Sequence, residues 1–528
     1  MSHEKQIRVR FAPSPTGMLH IGNLRACLFN WLFARHAHGS FLVRIEDTDR
    51  ERSKPEYVKA ILQSLAWMGI ESDEPLVFQS QRLAVYQEAL QKLIHAGHAY
   101  RCFCTPQEIR ARNKKNVCSG AAGRIEHDSL GSKGGSVSAD EDIFVGYDGY
   151  CRNREVSEED LKKPFVIRFA LPQDLHDISF DDSIRGRVSV ALDQFDDFII
   201  ARSACPAELA ELNLSDETSS GTRMESPDKR RGNGWPVYNF VVVVDDASMR
   251  ITHVIRGEDH ITNTFKQLLL YRALGYQPPV FAHLPLILGP SGDKLSKRDG
   301  ATSVPEYQRM GFLPDALLNY LVRLGWAHGD REVFSRQELI DLFTLEAVGK
   351  KGAIFDIQKL TWLNGVYMRA TSEEELLERI VRDVMPDLRE KLVSWDITIL
   401  LAIIKLYKER AKTLQELAHE LILFHDGPTE YVVADVNQWI MAQTPEHLTQ
   451  IVKTLAMQDN FSLEIIQNEM KAYATQQGIK VVALAQPIRI ALVGKGASPG
   501  VFELLSLLGK EESIRRIHAL LAFLKQKS

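Results

Sequence analysis

Residues 7–45 constrain this chain more than any other stretch. IRVRFA (7–12) alternates Ile7, Val9 and Phe11 with Arg8 and Arg10, the period of a strand. PSPTG (13–17) then turns the chain, because two prolines fix φ and a glycine frees it. From His20 to about His36, Ile21, Leu24, Cys27, Leu28, Trp31 and Leu32 recur at helical spacing. FLVRI (41–45) reads as a second strand. Strand, tight turn, helix and strand is the opening unit of a parallel sheet. The loop after the first strand then lies at the carboxyl edge of that sheet, where α/β folds bind ligands.

The pattern beyond this unit divides the chain. Helices are expected over 56–68 and 82–96, and strands over 166–171, 187–192 and 198–201. Two stretches lack hydrophobic period: 119–150, rich in Gly, Ser and Asp, and 203–235. Both read as surface insertions. VYNFVVVVDD (237–246) is apolar on both faces and reads as a central parallel strand. ITHVIRGEDH (251–260) leads into a helix through about Leu274, and HLPLILG (283–289) reads as another strand. After about residue 305 helices dominate, over 314–326, 336–344, 374–385, 395–424, 445–459, 461–477 and 513–526. VVALAQP (481–487) is the one strand candidate there. The fold class is therefore an α/β N-terminal half followed by an all-α C-terminal half, without internal repeats.

Composition bounds the function. At 528 residues the chain has room for about three to four domains. A net charge of −5 argues against non-specific coating of nucleic acid, but not against a local basic patch. The longest apolar run, 397–404, is far short of the ~18–20 residues that span a bilayer. The start, MSHEKQ, lacks an apolar signal core, so a cytoplasmic enzyme with no membrane partner is expected. Six cysteines in so long a chain do not make a disulfide scaffold, but four of them fall within 102–151.

Three constellations carry chemistry. In RFAPSPTGMLHIGN (10–23) a helix begins near Ile21, and its N-terminus attracts phosphate. His20 can donate to a phosphate oxygen, and a flat base could rest against Gly22. A His-Ile-Gly can also be a packed turn. GDKLSKRDG (292–300) places Lys294, Lys297 and Arg298 within five residues, either a solvated loop or a mobile clamp for a triphosphate. No GxxxxGK[ST] is present, so this is not a P-loop site. RIEDTDR (44–50) sets Glu46, Asp47 and Asp49 just after a strand, to hold an ammonium group or to cap the next helix.

Together these motifs resemble class I aminoacyl-tRNA synthetases, and among them the bacterial glutamyl-tRNA synthetases. The resemblance runs from Ile7 to about Arg369 through RFAPSPTGxLHIGN, LVRIEDTDRERS, YNFVVVVDDxxMxITHVIRGEDH, KLSKR and GFLPDALLNYLVRLGW. It implies a Rossmann-type nucleotide-binding fold split into 1–100 and 236–290. An acceptor-end binding insertion would occupy 101–205, with an irregular loop over 206–235. A stem-contact domain with the KLSKR loop would follow over 291–373, then a helical anticodon-binding domain over 374–528.

The implied reaction activates L-glutamate with ATP and Mg2+ and transfers it to tRNA(Glu). Whether tRNA(Gln) is also charged stays open, and a monomer is expected. Neither step needs a protein nucleophile; positioning and charge neutralisation suffice. The resemblance implies ATP contacts at His20, Gly22, Asn23, Lys294, Lys297 and Arg298. It implies glutamate contacts at Arg10, Ser14, Glu46, Tyr238 and Arg256, although Arg256 could instead pair with Glu258 or Asp259. Asn23 stands where the general class I motif has histidine. Arg410 falls where the family reads an anticodon base, or is simply an exposed helix cation.

Some bacterial relatives bind structural zinc through C-x-C and a later Y-x-x-x-C-x-H. Here Cys102, Cys104, Tyr147 and Cys151 match, but the histidine is Asn153, a poor ligand. Cys118 or His127 could supply a fourth ligand, or the cysteines are free thiols. Two other readings fit these motifs less well. A glutaminyl enzyme has a β-barrel tRNA-reading end and a Glu in place of Ser14. A non-catalytic tRNA-binding paralogue sits poorly with intact HIGN, KLSKR and both arginines.

Overall fold

Alternation and the PSPTG turn build the opening unit as expected. Arg8–Phe11 and Ser40–Ile45 pair in parallel, Arg8 opposite Ser40 and Phe11 opposite Val43. The helix Ile21–His36 forms the crossover, and Val77–Phe78 adds a third parallel strand. The structure, a computed structural model, describes residues 6–49, 51–118, 146–160, 163–202, 235–296, 302–388, 390 and 395–527, without the side chains of 114–118 and 527. The loop over 119–145, the insertion over 203–234 with its DKRR run (228–231), Arg50, His127, Lys297 and Arg298 lie outside the described residues, as does the side chain of Cys118.

The chain divides into two compact units, Met1–Leu288 with Val322–Ile354, and Gly289–Leu321 with Phe355–Ser528. In the first unit, His253–Gly257 and Val280–Leu284 form a second parallel pair. Thr252 N–H donates to Arg8 O at 2.9 Å, and Val280 N–H to Thr252 O at 2.8 Å, so the two pairs lie side by side. The hairpin of Asp177–Asp182 and Gly186–Ala191 joins the far edge, with Phe281 opposite Asp182. A separate antiparallel sheet holds Ala99–Cys102, Val166–Phe169, Ile199–Arg202 and Trp235–Pro236, in that order.

One expectation fails where it matters most. The 237–246 run is not a central strand but most of a helix, Tyr238–Ser248. Phe240 through Asp246 are all buried in it, and it packs against the helices Leu83–His95 and Ile261–Leu274. A helix enclosed on all sides is apolar all round and loses the 3.6-residue signature. The β-branched valines then pointed to strand, and tertiary burial overrode that preference. The run 283–289 is also not one strand: Val280–Leu284 ends before Pro285, and Ile287–Leu288 pairs in parallel with Ala353–Ile354. The latter is a short strand within the stretch expected to be helical.

The second unit is helical around a core that includes Ile403, Leu417, Leu421, Ile451, Leu455, Ile488, Leu504 and Leu520. The single helix expected over 395–424 is two, Ile397–Lys408 and Leu414–Asp426. Thr413 caps the second, accepting from Glu416 N–H at 3.1 Å. Gly311 approaches that start closely: its carbonyl accepts from Leu414 N–H at 2.9 Å. VVALAQP (481–487) is not a strand; it lies largely within the helix Val482–Val493, which accommodates Pro487. Among the described residues, no helix is long and apolar enough to cross a membrane.

Candidate active site

The first turn of Ile21–His36 is shaped by its own cap. His20 sits in extended conformation, and its Nδ1 accepts from Gly22 N–H at 3.0 Å. A neutral ring bonded this way carries its proton on Nε2, which therefore donates. A Cβ at position 22 would lie 3.2 Å from His20 Nδ1. Glycine thus makes room for the folded-back ring. The first helical turn has no acidic residue, so its dipole is left to attract an anion. Ser14 and Asn23 are exposed on this turn and helix start.

Behind the turn lies a buried ionic cluster. Asp246 Oδ1 accepts from Arg10 Nε at 3.1 Å and from Arg44 Nη1 at 2.6 Å. Arg44 Nη2 also donates to Glu46 Oε1 at 3.1 Å. Asp245 accepts from Arg82 Nε at 2.7 Å and from Gln79 Nε2 and Tyr86 Oη at 2.9 Å each. Three cations thus face three anions, and Arg44 has no exposure. The arrangement also explains two aspartates in the last turns of Tyr238–Ser248, where a helix end disfavours anions. Burial is the largest influence on Glu46 and raises its carboxyl above the ordinary value, against Arg44 and Arg10. Burial pushes Asp246 up as well, but there Arg10 and Arg44 outweigh it and hold it low.

Arg256, on the adjoining strand His253–Gly257, is 7% exposed. It pairs with neither Glu258 nor Asp259. Glu258 instead takes Arg185 and the Leu286 N–H. Arg256 donates from Nη2 to Thr264 Oγ1 at 2.7 Å and Gln267 Oε1 at 2.8 Å, and from Nε to His283 Nε2 at 3.3 Å. Its Nη1 is buried without a hydrogen-bond partner among the described residues. Burial, then the charge of Arg10, lowers its pKa, opposed by Tyr238. Tyr238 bonds His260 Nδ1 at 3.1 Å. Its hydroxyl is pushed up to about 12 by burial and then by Glu46, with Arg256 and Arg10 opposing. Arg10, Glu46, Tyr238 and Arg256 therefore share one buried neighbourhood at the carboxyl ends of the parallel strands.

A second candidate centre lies on the antiparallel sheet. The sulfurs of Cys102, Cys104 and Cys151 lie within 4.8 Å of one another, and Cys104 Sγ to Cys151 Sγ is 3.5 Å. Tetrahedral zinc with Zn–S near 2.3 Å separates its sulfurs by roughly 3.8 Å, so the three fit such a site. Arg112 Nη2 lies 3.2 Å from Cys104 Sγ. Burial raises the Cys102 thiol, but Tyr147 and Arg168 outweigh it and leave the thiol below its ordinary value. Cys104 is pushed up to about 12 by burial and by its two sulfur neighbours. Asn153 is exposed.

Residues 6–206 and 222–362 match the family described as tRNA synthetases class I (E and Q), catalytic domain. Residues 375–521 match an anticodon binding domain. A glutamate–tRNA ligase from Geobacter sulfurreducens is 41% identical over 98% of this chain and 99% of its own length. The ligase from Thermodesulfovibrio yellowstonii is 40% identical over 97% and 98%. The chain belongs to the glutamate–tRNA ligase family of class I synthetases. A crystal structure of a glutamate–tRNA ligase from Elizabethkingia meningosepticum in complex with its amino acid covers 98% of this chain and 100% of its own. It is 31% identical, with a TM-score of 0.79. Membership of class I implies use of ATP with Mg2+.

Lys294 is exposed on a turn held by Gly292, which has φ +86 and donates to Gly289 O at 3.0 Å. Arg410 is exposed just beyond Ile397–Lys408, its N–H on Tyr407 O at 3.0 Å. Conversely, Arg44, Asp246, Thr264, Gln267 and His283 contact Glu46, Arg10 or Arg256 without standing among the expected site residues. The signal for Asp246 was present: two acids ending an apolar run need buried cations.

Proposed function

We propose that this chain joins L-glutamate to tRNA(Glu) through a glutamyl-adenylate. A glutamate α-carboxylate oxygen attacks the α-phosphorus of ATP, and pyrophosphate leaves. The 2′-hydroxyl of the terminal adenosine then attacks the acyl carbon, and AMP leaves. The observation that carries the amino-acid choice is Arg256, buried, with Nη1 unpartnered and no carboxylate in ion-pair range among the described residues. A glutamate side-chain carboxylate completes that guanidinium; the isosteric amide of glutamine brings no charge and presents N–H to N–H. Arg10 assists, Tyr238 lies beside them, and Glu46 takes the α-ammonium with Ser14 near the amino-acid backbone. His20 Nε2 and the helix N-terminus hold phosphate, and Lys294, Lys297 and Arg298 neutralise the leaving pyrophosphate.

Cys102, Cys104 and Cys151 hold a structural zinc, with Cys118 as the fourth ligand. The helical unit reads the anticodon, Arg410 among its contacts, and the enzyme works as a cytoplasmic monomer. The domain boundaries follow the six segments expected from sequence. Glutamate-dependent pyrophosphate exchange, run with and without tRNA(Glu), tests the reading, and charging of purified tRNA(Glu) and tRNA(Gln) measures tRNA choice. Exchange supported by glutamate and not by glutamine is expected. Equal exchange with both amino acids, or none with glutamate, overturns the proposal.

A further inference from the structure

Arg256 is held in place by residues outside every chemical constellation of the sequence. Beyond the Arg256 Nε contact, His283 Nε2 lies 3.0 Å from Thr264 Oγ1. On the other side of the imidazole, His283 Nδ1 lies 2.7 Å from Asp182 Oδ2. Gln267 is fixed in turn, its Nε2 donating to Asn239 Oδ1 at 3.1 Å, so that its Oε1 faces Arg256. Asp182 and His283 both have buried side chains without exposure. They come from distant parts of the chain: Asp182 ends a strand of the inserted hairpin, and His283 lies in Val280–Leu284.

The proton positions along this chain are forced. Asp182 Oδ1 accepts from the backbone N–H groups of Ile184 and Arg185, both at 2.9 Å. Its Oδ2 accepts from His283 N–H at 3.0 Å. A carboxylate only accepts, so His283 Nδ1 must carry the proton, and Nε2 must present its lone pair to Arg256. Burial is the largest influence on His283 and keeps it below its ordinary pKa, helped by Arg256 and opposed by Asp182. The ring is therefore neutral near pH 7. Asp182 connects to Arg256 through this neutral ring rather than by direct contact. Arg256 is oriented without being neutralised, and Nη1 is left for an anion.

We propose that Asp182 and His283 are positioning residues that set the glutamate specificity of Arg256. Asp182 locks the His283 tautomer, and the His283 Nε2 lone pair aims the guanidinium at the substrate carboxylate. This rests on the reading of Arg256 as the glutamate-binding arginine.

Asp182→Asn tests it. The amide oxygen stays at the Oδ1 position, where the backbone N–H groups of Ile184, Arg185 and His283 all reach it, so the amide NH2 faces His283 Nδ1. Nδ1 must then accept, the proton moves to Nε2, and N–H opposes N–H at Arg256. The glutamate KM should rise at least tenfold, with kcat within threefold and the ATP KM unchanged; an unchanged glutamate KM overturns the proposal. The double variant Asp182→Asn/His283→Gln replaces the ring by an amide that can turn its oxygen to Arg256. Its glutamate KM should fall at least fivefold below that of Asp182→Asn, whereas a merely structural role gives no recovery and overturns the proposal. If Asp182→Asn does not fold, His283→Gln against His283→Phe carries the test. The acceptor-keeping Gln should show at least fivefold the lower KM, and equal KM values overturn the relay. Arg256→Ala, measured alongside, separates the two readings. An unchanged KM there removes Arg256 from the site and the relay with it. A raised KM there with none in Asp182→Asn overturns the relay alone.

Discussion

Asp246→Asn is the perturbation that most directly probes the buried cluster. One carboxylate oxygen of Asp246 serves both Arg10 and Arg44, at 3.1 and 2.6 Å, with the aspartate side chain 2% exposed. The amide keeps the volume and one acceptor but removes the charge. Three buried or half-buried cations, Arg10, Arg44 and Arg82, would then face only Asp245 and Glu46. Removing one partner of a buried pair costs about 3–5 kcal/mol, and an isosteric amide belongs at the lower end, about 3 kcal/mol. In a unit this large each kcal/mol moves Tm by about 2 °C, so a fall of roughly 6 °C is expected. Arg10 also loses the group that fixes its guanidinium, so the glutamate KM should rise about tenfold while the ATP KM stays put. Calorimetry and tRNA-dependent pyrophosphate exchange measure both effects. A Tm within 2 °C of wild type together with an unchanged glutamate KM would refute the reasoning.

Three other outcomes are expected. Protein purified without chelator should hold close to one zinc per chain, and Cys102→Ser should lose it; less than about 0.2 zinc per chain in the unaltered protein rules out the site. Gly311→Ala should destabilise the helical unit by roughly 2–4 kcal/mol in denaturant melts, because φ is +81 and the new Cβ would lie 2.5 Å from Gln415 N. A loss under 1 kcal/mol would contradict that geometry. Burial, then Arg256, lowers His260 from an ordinary 6.5 to about 4. Its contribution to stability is thus complete above pH 6.5 and is lost as pH falls through about 4, at up to about 1.4 kcal/mol per pH unit. His260→Asn should flatten the stability profile in that window, and an unaltered profile would remove His260 as its source.

Local periodicity made the opening unit legible. Arg8–Phe11, Ile21–His36 and Ser40–Ile45 fall within a residue or two of their expected places, because turn residues mark clear breaks at their ends although all three are largely buried. Periodicity failed for Tyr238–Ser248, where four consecutive buried valines mimic a central strand. It also merged Ile397–Lys408 with Leu414–Asp426, since the break between them is set by Thr413 and by the distant Gly311. Among the site residues, Arg10, Glu46, Tyr238 and Arg256 were legible only through motif resemblance. Nothing local marks Arg256 as different from any other strand arginine.

The chain by itself determined the class of molecule: a parallel α/β opening, a helical end, and ordered motifs that place it among the class I synthetases. Those properties depend on residues near one another in sequence, where spacing carries the information. What only the tertiary structure decided is how buried charged and polar groups a hundred or more residues apart find one another. Arg10 meets Asp246 across 236 positions, and His283 meets Asp182 across 101. A buried charge is tolerated only with such a partner, and the choice of partner is a property of packing that no local pattern records.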